Sequence, residues 1–154
     1  MNGCFGAFIR VIVGVVVFIA ILMVLFWAFV SWQEYSRKHH FQDRDRIERI
    51  TGIALPKFKV TNYEEGSQGF TGDYDDSFSF EFESPLSDVL FEEIDKKIEA
   101  GNTGWRKEGN KYSFSQTWGN GFPAPKGEDD NDDRFFSIII IKGDVRGIVR
   151  HGAW

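Results

Sequence analysis

The residues best supplied for chemistry are carboxylates. Glu128, Asp129, Asp130, Asp132 and Asp133 fall within six positions, and such a run gathers the oxygen ligands that a hard cation such as calcium takes. Asp129, Asn131 and Asp133 alternate as the first three ligands of an EF-hand loop do. The pattern then fails, because Arg134 stands where that loop needs glycine and Ile140 where it needs a bidentate glutamate. A second group, Asp73, Asp75 and Asp76, has Phe78 at the glycine position. Both runs read as solvated acidic loops. Asp129, Asn131 and Asp133 are the candidate cation ligands, and with Asp73 and Asp75 they supply the metal-binding set if the domain is a cation-dependent binder or an enzyme with a dispersed site.

Other reactive side chains lack partners by spacing. His39 and His40 with Asp43 suggest a metal site, but adjacent residues on a helix project about 100° apart and do not converge on one ion. His151 has no acid or nucleophile at a recognisable spacing and reads as a surface histidine on a strand. Glu81 and Glu83 share one strand face about 7 Å apart. Their alternation with Phe80 and Phe82 explains them as the wet side of that strand. Hydrolytic chemistry needs an activated nucleophile or a carboxylate pair of matched geometry, and neither can be read here. The expectation is a protein without catalytic residues and without a cofactor.

The loop Trp118, Gly119, Asn120, Gly121, Phe122, Pro123, Ala124, Pro125 is the remaining candidate. Long irregular loops in compact domains are often functional, and two large aromatics in a Gly and Pro frame make a recognition surface centred on Trp118, Asn120 and Phe122. The alternative is that Trp118 plugs the open end of a sheet.

Those residues must be positioned by elements of two kinds. From Val11 through Val30 every residue is apolar or glycine, and twenty residues at about 1.5 Å each span the roughly 30 Å hydrocarbon layer of a bilayer. The run is too long for a secretory signal core, and Trp27, Phe29, Val30 and Trp32 crowd the place where small residues would be cleaved. Trp27, Trp32 and Tyr35 suit one membrane interface and Arg10 the other. The lipid bilayer is thus an expected partner through residues 11–30, with 1–10 as a short tail and 31–42 as a juxtamembrane stalk. Arg37, Lys38, Arg44, Arg46 and Arg49 outnumber the bases before the span, so the positive-inside rule places the following domain on the cytoplasmic side.

The rest, residues 43–154, reads as one soluble α+β domain. Asp43 to Thr51 is a short helix with Ile47 and Ile50 on one side and Gly52 at its end. Phe58 and Val60 alternate with Lys57, Lys59 and Thr61, and Phe78, Phe80 and Phe82 alternate with polar residues, which gives two half-buried strands. Ser84 to Gly101 is amphipathic with Leu90, Phe91, Ile94 and Ile98 in one stripe, starting near Ser87. Hairpins follow around Glu108, Gly109 and Asn110 and around a two-residue turn at Gly143 and Asp144. The run Ile138 to Ile141 suggests a strand buried on both faces. The expected architecture is an N-terminal transmembrane helix plus an antiparallel sheet of about five to six strands packed on one main helix.

Composition narrows the partners. The sole cysteine, Cys4, precludes a disulfide framework in the domain. From residue 51 onward 12 Lys and Arg face 19 Asp and Glu, an acid excess that argues against nucleic acid, which selects a basic face. The sequence therefore predicts a membrane-anchored, non-enzymatic interaction or accessory module for an unidentified protein or ligand partner. The competing class is the membrane-tethered enzyme or cation-dependent domain that would use the acidic loops.

Overall fold

The computed structural model describes residues 2–66, 73–101, 104–119, 121–128 and 134–153. It divides into two compact units, 1–40 and 41–154. Almost all of the first is helix α1 (Asn2–Gln42), 41 residues long. Side chains 11–29 are exposed throughout, and the apolar stretch is long enough to cross a membrane with none of it buried against protein.

The second unit is α+β. Its elements are α2 (Arg44–Thr51), β1 (Phe58–Glu64), β2 (Tyr74–Phe82), α3 (Asp88–Ala100), β3 (Trp105–Glu108), β4 (Lys111–Trp118), β5 (Arg134–Ile141) and β6 (Arg146–Ala153). All strands join one six-stranded sheet in the order β1-β2-β6-β5-β4-β3, antiparallel throughout.

Both short helices carry the ends their sequences call for. The Asp43 side chain accepts from the Asp45 N–H at the start of α2, and Gly52 closes it in the left-handed conformation at φ 67°, where a Cβ would be strained. The Ser87 side chain accepts from the Leu90 N–H at the start of α3, satisfying one of the four donors a helix leaves open.

One face of the sheet is the core. Phe78, Phe80 and Phe82 of β2, Tyr112 and Phe114 of β4, Phe136, Ile138 and Ile140 of β5 and Val149 of β6 are buried with Ile47 and Ile50 of α2 and Phe91 and Ile94 of α3. The segment after α2 adds Ile53 and Leu55, and Trp105 donates its indole N–H to the Thr51 carbonyl at 3.0 Å. That bond fixes the helix end to the edge strand and satisfies a buried donor at once.

Two sequence expectations are corrected. The run Ile138 to Ile141 is buried on one face only: Ile138 and Ile140 point inward, Ile139 is half-buried and Ile141 is 43% exposed. The helices cover a single side of the sheet, so alternate isoleucines are left on the other. The closing hairpin turns through residues 142–145, with the Asp144 N–H donating to the Ile141 carbonyl at 3.0 Å, and not through Gly143 and Asp144 alone. The β3–β4 turn is the two-residue one: Glu108 pairs with Lys111 across Gly109 and Asn110, and Gly109 takes a positive φ of 60°, as such turns require.

Candidate functional site

A group of polar side chains lies on the inner face at one end of the sheet. Asp76 of β2 and His151 of β6 are directly opposed cross-strand partners, and each is 1% exposed. A buried carboxylate is tolerable only when hydrogen bonded. The Tyr63 hydroxyl donates to Asp76 Oδ2 at 2.7 Å, and the Gly66 N–H donates to Oδ1 at 3.1 Å. Tyr63 reaches this face because of a β-bulge. The β1–β2 register shifts between Val60 and Asn62, so inward positions change from Phe58 and Val60 to Tyr63, as one extra residue in a strand reverses its alternation. Phe41 is buried and stacks on the His151 ring with centroids 3.6 Å apart, and Tyr74 meets that ring edge-on at 5.8 Å.

A buried ion pair stands in the same unit. Arg46 Nε and Nη2 donate to Glu128 Oε1 and Oε2, both at 2.8 Å, and the two side chains are 1% and 3% exposed. This planar two-point contact is the strongest geometry available to a guanidinium. The Arg46 guanidinium also lies 5.0 Å from the centre of the Phe41 ring, a cation–π arrangement. The pair ties α2 to the loop that follows β4.

Asp76, His151 and Tyr63 are the types a general acid–base system uses; Asp76 and His151 are closed off from solvent, while Tyr63 is half-buried. His151 thus differs from the surface histidine expected from sequence. It shares the inward parity of Val149, two residues before it, and that was the available signal.

The sequence-predicted recognition loop separates into parts. Trp118 is the last residue of β4 and 1% exposed, so it fills the core and offers no surface. Its indole N–H is buried without a hydrogen-bond partner among the described residues. Phe122 is 64% exposed and closes a turn through reciprocal backbone bonds with Gly119, 3.0 and 2.9 Å long. Asn120 lies outside the described residues, as do the candidate cation ligands Asp129, Asn131 and Asp133.

The acidic group at 73–76 is dispersed. Asp76 points inward and Asp75 outward, as consecutive strand residues must, and the Asp75 carboxylate accepts from Arg150 Nη2 at 2.5 Å. Asp43 is spent on the α2 cap, and the His39 ring meets Tyr35 edge-on at 4.2 Å. Among the described residues no three His, Cys, Asp or Glu side chains gather closely enough to hold a metal.

Surface ion pairs away from this cluster shift two carboxylates. The Lys107 ammonium hydrogen bond holds Asp95 below the usual carboxylate value, against desolvation which pushes it up. Asp144 is likewise lowered, first by the Arg146 side-chain hydrogen bond. The domain has concavities open to solvent on both sides of the sheet. A cleft of about 550 Å³ lies beside the start of α3, walled by Leu55, Pro56, Phe82, Leu86, Val89 and Leu90. A shallow groove of about 270 Å³ crosses the outer face of the sheet between Thr61, Ser79, Ile139, Ile141, Arg146 and Ile148.

No protein-family model, curated protein or solved structure matches the chain.

Proposed function

We propose that this is a single-pass membrane protein in which residues 11–30 hold a non-enzymatic binding module, residues 43–154, at the bilayer. The observation that carries the reading is the apolar stretch of α1, long enough to span and buried against nothing. Within 11–30 are fifteen Val, Ile, Leu and Phe residues, each contributing about 0.3–0.6 kcal/mol to insertion near a span's centre. The sum, roughly 5 kcal/mol or more, has no counterpart in water. The bases at 37–49 favour a cytoplasmic domain.

Binding is the favoured role because Asp76 and His151 are closed inside the core, while Ile139, Ile141 and Ile148 line one groove on the outer face of the sheet, and a contiguous apolar patch is of the kind partners cover. The test is sedimentation. The full-length chain should pellet with membranes after high-speed centrifugation without detergent, resist an alkaline carbonate wash, and dissolve in mild detergent. Recovery in the detergent-free supernatant refutes the anchor.

A further inference from the structure

We propose that the outer face of the sheet is a docking surface for a second copy of this chain, in a two-fold face-to-face arrangement. The inference rests on reading the domain as a binding module and names its partner.

The face is built like the centre of an interface. Ile139 and Ile148 are direct cross-strand partners, flanked by Ser113 on β4 and Ser79 on β2. Ile148 and Ile141 are 45% and 43% exposed, although all three isoleucines sit on strands whose other faces are core. Short serines around the apolar middle leave a shallow groove lined by the isoleucines, and charged groups stand toward its ends. This apolar centre with a polar surround is the usual anatomy of a protein interface.

Charge selects the occupant. The outer face carries five bases, Lys59, Arg106, Lys111, Arg146 and Arg150, against five acids, Glu64, Asp75, Glu81, Glu108 and, in the turn before β6, Asp144. The rest of the chain from residue 51 holds seven bases against fourteen acids. Two copies therefore repel through most of their surface and approach best through this balanced face. An anionic lipid surface would select a clear basic excess, which the face lacks. Opposite signs also alternate along one row, Lys59 beside Glu81 beside Arg146 and Lys111 beside Glu108, so a two-fold rotation can set acid against base.

Size agrees. Strands about 4.8 Å apart, with the central ones eight or nine residues long at about 3.4 Å each, present roughly 700 Å². A standard interface buries about 800 Å² per partner. Confinement of anchored chains to one membrane raises the effective concentration of the second copy.

The test is cross-linking of the full-length chain in membranes with a short bis-maleimide. Single cysteines are placed, on a Cys4→Ser background, at Ser79, Ser113 or Ser137 around the isoleucine pair, and at Glu92 on the exposed side of α3 as a control. Outer-face positions should give a dimer at least about tenfold more abundant than the control, and Ile148→Glu should reduce it by about tenfold or more, the equivalent of 1.4 kcal/mol of association. Ser113→Arg should cause the same loss in the Ser79 and Ser137 chains, which separates blocked docking from a folding defect in one variant. The proposal is overturned by cross-linking as strong at Glu92, by dimers indifferent to both substitutions, or by no dimer at any position. A chain that pellets with membranes yet fails to cross-link refutes the dimer and leaves the anchor standing. One that cross-links in the soluble fraction does the reverse.

Discussion

Removing Glu128 should cost the domain a large part of its stability. Arg46 and Glu128 are 1% and 3% exposed and joined by two bonds of 2.8 Å. Glu128→Ala leaves a guanidinium in the core whose Nη1 already lacks a hydrogen-bond partner among the described residues. Breaking a buried pair from one side costs about 3–5 kcal/mol, against roughly 5–15 kcal/mol for a whole domain. At about 3–6 °C per kcal/mol for a domain of this size, the melting temperature should fall by roughly 9–30 °C. The double change Arg46→Met with Glu128→Leu removes both charges and keeps apolar volume, so it should recover most of that loss. Urea unfolding of the full-length chain in mild detergent, followed through the buried Trp105 and Trp118, gives the cycle. If Glu128→Ala lies within about 1 kcal/mol of the parent, or the double variant is as unstable as the single, the pair is not the buried contact described here.

Trp118→Ala should destabilise by about 3–5 kcal/mol, as large-to-small core changes do, whereas Phe122→Ala, at an exposed turn, should stay within about 0.5 kcal/mol; equal effects in the same unfolding assay would contradict their placement. Acid should weaken the Asp95–Lys107 contact: the folded carboxylate is lowered, so its stabilisation is present above the unfolded value and is lost as pH falls through the folded one, below about pH 4. Lys107 is raised by the same contact, so its share persists below its unfolded value and disappears only as pH rises through the folded value at the alkaline end. With side chains 42% and 36% exposed, the effect is small, and Asp95→Asn should flatten the acid limb of the urea midpoint between pH 3 and 7; an unchanged limb would show the pair to be idle.

Local pattern was readable wherever it is self-sufficient. Phe78, Phe80 and Phe82 declare their face by alternation, and α2 and α3 declare their ends through Asp43, Gly52, Ser87 and Gly101. What escaped depends on contacts far apart in the chain. Arg46 looks like one of several juxtamembrane bases, and its partner is 82 residues away. Asp76 and His151 lie 75 positions apart in sequence and meet only because β6 inserts beside β2. Tyr63 comes inward through a bulge that no residue type announces. The isoleucine run shows that a strand is apolar, but the number of layers covering a sheet is a property of the whole fold. Of the candidate site residues, Trp118 and Phe122 differ in a way spacing cannot reveal, since one ends a strand with its side chain in the core and the other closes an exposed turn.

Strand β6 contributes to both faces of the sheet. His151 points into the polar cluster and Ile148 out onto the proposed docking surface, and with a strand period of two a slip of one residue would exchange them. The register is held from both sides by phenyl rings lying over glycines. A Cβ at Gly147 would collide with the Phe80 ring on the inner face, and one at Gly152 would collide with the Phe135 ring and the Tyr74 carbonyl. Glycine in a strand interior weakens it unless something takes the side chain's place, and here a ring from a neighbouring strand does so at each position. The same two contacts that place a histidine beside Asp76 therefore keep Ile148 beside Ile139. The outer surface is accordingly as well specified as the core, although no described helix covers it.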